Sequence, residues 1–397
     1  MFLTSIWLLL SAVPPIFTIN SLYAPVGHLS VPNDLQIDQV MGPKNEEIEL
    51  EKRIKRKVAE QSGSIELIYY HSQLIIGEID VGTPTQKFIV QFNIYTPESW
   101  LISANATVYK ASGFDAKKKY YSNVSSSYRD GEKYFQTDFG YVNGIIAKDN
   151  ILIGVLTIPN VPFGVAENAG YWISYEPIDG VFGLSTADTE SGVKSAIRTI
   201  TEDLGTPIVS VYLNKSKVYN VNGTGLLTFG SEDTVNCVPE YVYAEYSNPP
   251  TWQIAAFSVS DSDGGLVELR NLSITVSDWG SWFVTSKNVT EMIAKLASAV
   301  YDKTTGNYNI SCETSEDIKN KEIHFRIRED GGKITSRVGD FITKYDDQCI
   351  LAIYASYNDY DCNWYFPASF VRTHCVAVDF SKNQMGFSDV RPELRNP

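Results

Sequence analysis

An all-β fold is predicted by three features of the sequence. Aromatic residues make up 12% of the 397, mostly Tyr (24) and Phe (18). Apolar residues fall in many short alternating runs, and from Leu67 onward Gly, Asn and Asp turns separate those runs. Alternation at period two fits half-buried strands, whereas amphipathic helices need apolar residues three and four apart. Two stretches depart from it, near Ser191–Leu204 and Val289–Val300, and read as short surface helices. Hydrophobic content of 43% excludes a disordered chain, and the length allows two domains, each with its own core.

Two segments of different character precede the strands. Met1–Phe17 is apolar around Ile6–Leu10 and leads into small residues up to about Ala24, as in a secretory signal peptide over residues 1–24. It is too short and too broken by Pro14 and Pro15 to span a bilayer, and no later segment is a transmembrane candidate. Glu46–Glu60 (EEIELEKRIKRKVAE) reads as a helix, acidic first and basic after, an order that suits the helix macrodipole and i,i+4 pairing. Within it Lys55-Arg56-Lys57 has the form of a dibasic processing site.

A net charge of −14 and a pI of about 4.8 argue against nucleic acid and against charge-driven binding to anionic membrane. Seven Asn-x-Ser/Thr sequons, at Asn105, Asn123, Asn214, Asn222, Asn271, Asn288 and Asn309, fit passage through the secretory pathway. The five cysteines all follow residue 236 and are usable for disulfides in that compartment. An odd number leaves one unpaired, and Cys237 is the expected one. The four His are unclustered, and neither a metal-ligand spacing nor a phosphate-binding loop appears, so no metal and no cofactor are expected.

The motifs carry more. Gly77–Phe92 (GEIDVGTPTQKFIVQF) runs into Asn93-Ile94-Tyr95-Thr96, and Asp179-Gly180-Val181-Phe182-Gly183-Leu184, Pro207–Leu213 (PIVSVYL), Trp252-Gln253-Ile254, Phe370-Val371-Arg372 and Val378–Phe387 (VDFSKNQMGF) follow in order. Over Leu67–Val390 this succession resembles the pepsin-like aspartic peptidases (peptidase A1). The resemblance implies a bilobed acid-protease fold, two similar β-barrel-like lobes with a cleft between them. It divides the chain into the signal peptide, a propeptide-like basic segment at 25–64, an N-terminal lobe at 65–243 and a C-terminal lobe at 244–397. A weak duplication agrees, since Phe92–Thr96 and Ser277-Asp278-Trp279-Gly280-Ser281 occupy corresponding points in the two halves.

Catalysis in that family depends on two carboxylates so close that the pair holds one proton; one activates water while the other polarises the scissile carbonyl. Asp278 fits the second carboxylate, with Gly280 and Ser281 after it. The first is replaced by Asn93, whose amide forms hydrogen bonds but cannot exchange the proton. Losing one acid/base group typically costs about 10²- to 10⁴-fold in rate. Further departures gather at the cleft floor. Ile94 and Trp279 replace the threonines that tie the family's two loops together, Tyr95 stands at a glycine position, and Pro367 replaces the glycine of the segment Trp364–Ala368.

The flap, a hairpin closing over substrate, is expected in Phe135–Gly144, with Phe139 at the family's flap tyrosine and Tyr141 as the competing position; Phe139 there deprives Trp100 of a phenol partner. Cys312 and Cys349 match the family's second-lobe disulfide, and Cys362 and Cys375 are available for a second bridge. The resemblance thus implies a secreted or lysosomal, monomeric glycoprotein with impaired catalysis, holding at most an extended peptide in its cleft. Two alternatives stand beside it. One is an aspartic endopeptidase with residual activity through a substitute carboxylate, Asp138 being the candidate. The other is a structural glycoprotein that binds nothing, its groove plugged by Ile94, Tyr95, Trp279 and Trp282.

Overall fold

From the first strand, residues alternate between core and solvent: β1 (Gly63–Tyr70) buries Ile65, Leu67 and Tyr69 and exposes Ser64 and Glu66. The computed structural model describes residues 63–70, 74–108, 117–137, 141–214, 223–246, 252–276, 282–345, 348–356 and 364–395, all in one unit spanning residues 48–397. The signal-like segment, the Glu46–Glu60 helix and Lys55–Lys57 lie outside them.

The first half supplies β2 (Leu74–Val81), β3 (Gln86–Asn93), β4 (Trp100–Val108), β5 (Tyr134–Thr137), β6 (Val142–Ile153) and β7 (Leu156–Ala169). After them come β8 (Gly180–Gly183), β9 (Ile208–Leu213), β10 (Gly223–Phe229) and β11 (Val242–Glu245). β2 pairs with β3 and also with β6, where Asp80 faces Leu152 and Val81 faces Ile151. β2, β3, β8, β4, β7 and β6 therefore close on themselves, which removes their free edges and gives this half its barrel-like form.

The second half builds two separate sheets among the described residues. One contains β12 (Gln253–Asp261), β13 (Leu266–Val276), β14 (Phe283–Thr285), β17 (Glu322–Arg326), β18 (Lys333–Arg337), β21 (Ile353–Ala355) and β22 (Trp364–Phe366). The other contains β15 (Val300–Asp302), β16 (Asn307–Ile310), β19 (Ile342–Tyr345) and β20 (Gln348–Leu351). The last strands, β23 (His374–Asp379) and β24 (Gln384–Asp389), return to the first-half sheet, between β9 and β11. The first and last described strands, β1 and β24, thus belong to one sheet, and the expected all-β, two-lobed architecture is present. Between β23 and β24, Asn383 takes a left-handed conformation (φ 53°) that turns the chain from one strand to the other.

Both expected helices form. α1 (Ala196–Asp203) buries Ala196, Ile197 and Ile200, and the Ser195 hydroxyl accepts the Arg198 N–H at 3.4 Å to cap it. α2 (Lys287–Leu296) starts slightly earlier than the periodicity suggests and stops before Ser298, whose φ of 52° leaves the helical region. Two short helices had no apolar period to announce them, α3 (Cys312–Ile318) and α4 (Ala368–Val371). Pro367 is the N-cap of α4, and its carbonyl accepts the Phe370 N–H at 2.8 Å.

The disulfides confirm one expectation and correct another. Cys312 is bonded to Cys349, joining the start of α3 to β20, and closing that 37-residue separation is worth roughly 4 kcal/mol. Cys375 is bonded to Cys237, not to Cys362, and Cys237 is not free. The cause is strand register: Cys237 bridges to Val390 just beyond β24, while Cys375 on β23 faces Ser388. Both sulfurs are buried in one small cluster with Val390, 138 residues apart in sequence and 6.1 Å between Cα atoms. Cys362 lies outside the described residues.

Candidate active site

The site is built from a strand arrangement that occurs once in each half. β3 lies parallel to β8, pairing Phe92 with Phe182 and Asn93 with Gly183, and β8 in turn lies antiparallel to β4. In the second half β13 lies parallel to β22, pairing Ile274 with Trp364 and Val276 with Phe366, and β22 lies antiparallel to β14. Asn93 ends β3, and Val276, the residue before Ser277, ends β13. Asp278, Trp279, Gly280 and Ser281 themselves lie outside the described residues, as do Phe139 and Asp138.

The glycines of the Asp179–Leu184 motif permit the close crossing. A Cβ on Gly183 would lie 2.4 Å from the Thr96 carbonyl oxygen, and one on Gly180 would lie 2.2 Å from that of Trp100. Asp179 is buried and holds the same junction. Its Oδ2 accepts the Ile89 N–H and its Oδ1 the Lys118 N–H, both at 2.9 Å. Burial raises its pKa above the ordinary carboxylate value, and those two amide donors oppose the rise.

Asn93 Oδ1 accepts the backbone N–H of Tyr95 at 2.8 Å and of Thr96 at 3.3 Å. Two backbone donors fix which end of the amide is oxygen, and the other end, Nδ2, is a pure donor. The backbone at Tyr95 accommodates its side chain without the left-handed conformation a glycine would allow. Among the described non-glycine residues only Asn160, Ser298 and Asn383 have positive φ. The Tyr95 ring is half-buried against the main core.

Ile94 is 3% exposed and lines an apolar cavity with Phe92, Leu184, Trp252, Val276 and others. Leu184 belongs to the first half, and Trp252 and Val276 to the second. Ile94 therefore fills the space between the halves with hydrocarbon and offers no hydroxyl. The Trp252 indole N–H donates to the Leu184 carbonyl at 3.1 Å, a tie across the same boundary that sequence reading did not identify.

Sequence reading also missed Glu98, a carboxylate buried to 7% exposure inside the same loop. Its Oε2 accepts from the Thr96 hydroxyl at 3.0 Å and its Oε1 from the Glu190 N–H at 2.9 Å. A lone acid within the apolar run Ile94–Ile102 was the available signal.

β5 and β6 form a hairpin over the segment expected to be the flap, with Thr137 opposite Val142. Tyr141 at its tip is 62% exposed. Trp100 is buried and packs edge-on against Trp172, ring centroids 6.3 Å apart. In the second half Trp282 stacks on Tyr354 at 4.3 Å. Of the sequons, Asn105, Asn123, Asn288 and Asn309 are exposed and Asn214 is half-buried. Asn222 and the Asn271 side chain lie outside the described residues. No group of three or more metal-ligating side chains occurs among the described residues, and no helix there is long and apolar enough to cross a membrane.

Residues 75–390 match the family model for eukaryotic aspartyl protease. The chain is 26% identical to aspartic protease 1 of Caenorhabditis elegans over 80% of its own length and 83% of that protein. It is 26% identical to renin-2 of Mus musculus, covering 81% of each, and 21% identical to gastricsin of Oryctolagus cuniculus, covering 84% and 86%. The paired strand arrangement, the glycine crossing behind Asn93 and a family match over most of the chain lead to one conclusion: this chain belongs to the eukaryotic aspartyl protease family, the pepsin-like peptidases of A1.

Proposed function

We propose that this protein is a secreted or lysosomal A1 homologue that has lost efficient proteolysis and retains a cleft able to hold an extended peptide. The observation that carries this reading is the loop at Asn93. Its side-chain oxygen is committed to the Tyr95 and Thr96 amides, and its remaining polar group is an amide donor where the chemistry needs an exchangeable proton. Ile94, packed in the apolar space between the halves, supports it, because the hydroxyl that ties the family's loops is gone. Paired disulfides and exposed sequons at Asn105, Asn123, Asn288 and Asn309 support an oxidising, glycosylating route.

Asp278 in this reading ionises as a single carboxylate beside a neutral neighbour. Glu98 is a poor substitute acid, since both of its oxygens already accept hydrogen bonds within the first half. The boundaries 1–24, 25–64, 65–243 and 244–397 are part of the same proposal. The test is a peptide-library screen on the full mature chain at acidic and neutral pH. Enrichment of extended peptides that Tyr141→Ala or Trp282→Ala weakens supports a working cleft. A screen without enrichment favours the non-binding structural glycoprotein instead.

A further inference from the structure

We infer that the Arg372 guanidinium is a receptor for an oxyanion, a carboxylate or a phosphate group, at the junction of the last helix and the first strand. Arg372 follows α4 directly and is mostly buried. Its guanidinium carbon lies 5.3 Å from the centroid of the Tyr69 ring on β1. Among the described residues no carbonyl, hydroxyl or carboxylate accepts a hydrogen bond from it, and its Nε is fully buried without a partner.

The Nε atoms of Arg326 and Arg391 are also buried without a partner, but another guanidinium nitrogen of Arg326 meets Glu268 and one of Arg391 donates to the Thr234 carbonyl. Arg198, Arg326, Arg328 and Arg395 each meet an Asp or Glu. In a chain of net charge −14, Arg372 lies against the Tyr69 ring and meets no acid among the described residues. A ring face satisfies a guanidinium through its π-electrons but takes none of the in-plane N–H donors. Those donors form the fork that matches two oxygens of a carboxylate or phosphate. The Tyr69 ring lies against the guanidinium, and Val371 beside it in sequence and Leu67 on the same strand as Tyr69 are buried apolar side chains, so an anion reaching the fork meets few competing polar groups. Burial also disfavours the cation in its present surroundings, which an arriving anion reverses. The inference is independent of the cleft reading, because no residue of the Asn93 loop takes part.

The test uses the full mature chain at neutral pH and constant ionic strength, with chloride exchanged for succinate or inorganic phosphate. Either anion at tenfold its dissociation constant should raise the thermal midpoint by about 2 °C over chloride, and which of the two acts identifies the source of the oxyanion. Arg372→Met should abolish that increment without lowering the midpoint in chloride, and Arg372→Lys, which keeps the charge but not the fork, should reduce it several-fold. Equal anion shifts in wild type and Arg372→Lys, or no shift in wild type, overturn the inference. So does a lower midpoint of Arg372→Met in chloride, which would make the side chain a packing element only.

Discussion

The side-chain oxygen of Asn93 accepts the backbone N–H of Tyr95 at 2.8 Å. An aspartate can make the same contact with one oxygen, so Asn93→Asp should fold normally, with stability within about 1 kcal/mol of wild type. It supplies the missing first carboxylate but not the loop-tying hydroxyls or the glycine. Cleavage of acid-denatured protein by this variant should therefore remain at least about 100-fold below an active relative. Full recovery would show that Ile94, Tyr95, Trp279 and Pro367 are neutral passengers.

Ile94→Thr restores the family residue at the floor, yet the cavity around it is apolar and spans both halves. The change removes buried hydrocarbon and places a hydroxyl among side chains with no acceptor in the cavity lining. A loss of about 1–3 kcal/mol is expected by chemical denaturation. No loss would mean that a partner for the hydroxyl is already in place.

Asp179 gives a pH signature. Its folded pKa is raised by burial above the ordinary 3.8, so the folded state holds this proton to higher pH than the unfolded state. Its stabilising contribution is full below about pH 3.8 and is lost as pH rises through the folded value. Asp179→Asn removes this titration. Between pH 3.5 and 7 the variant should lose less stability than wild type, measured by urea unfolding at both pH values. Parallel pH profiles would contradict the assignment.

Peptide mapping without reduction should recover Cys237 linked to Cys375 and Cys312 linked to Cys349. Cys375→Ser should cost about 2–5 kcal/mol, because the bridge closes the longer loop. A fragment joining Cys362 to Cys375 would contradict the strand register at β23 and β24.

What could be read in advance followed from how locally each feature is determined. The Asp179–Leu184 motif is legible because its glycines sit where Thr96 and Trp100 carbonyls pass within van der Waals distance, a constraint that leaves few residue choices. The strand pattern is legible because β1 shows its period in Ile65, Leu67 and Tyr69. The Cys237–Cys375 bond was not, since it depends on β23 and β24 returning to the first-half sheet, a pairing that local spacing does not encode. α3 and α4 were missed because they are only one or two turns long. The Trp252 tie to Leu184 and the burial of Glu98 emerge only when the halves are packed, and Arg372 gave no sign in sequence that its fork would meet no acid among the described residues.

The most direct measurement is the rate of cleavage of acid-denatured protein by the purified mature chain across pH 2–6, beside Asp278→Ala. With the dyad broken at Asn93, both proteins should give the same rate, at the level of a protein-free control. Cleavage at the rate of an active family member, abolished by Asp278→Ala, would contradict the loss of catalysis.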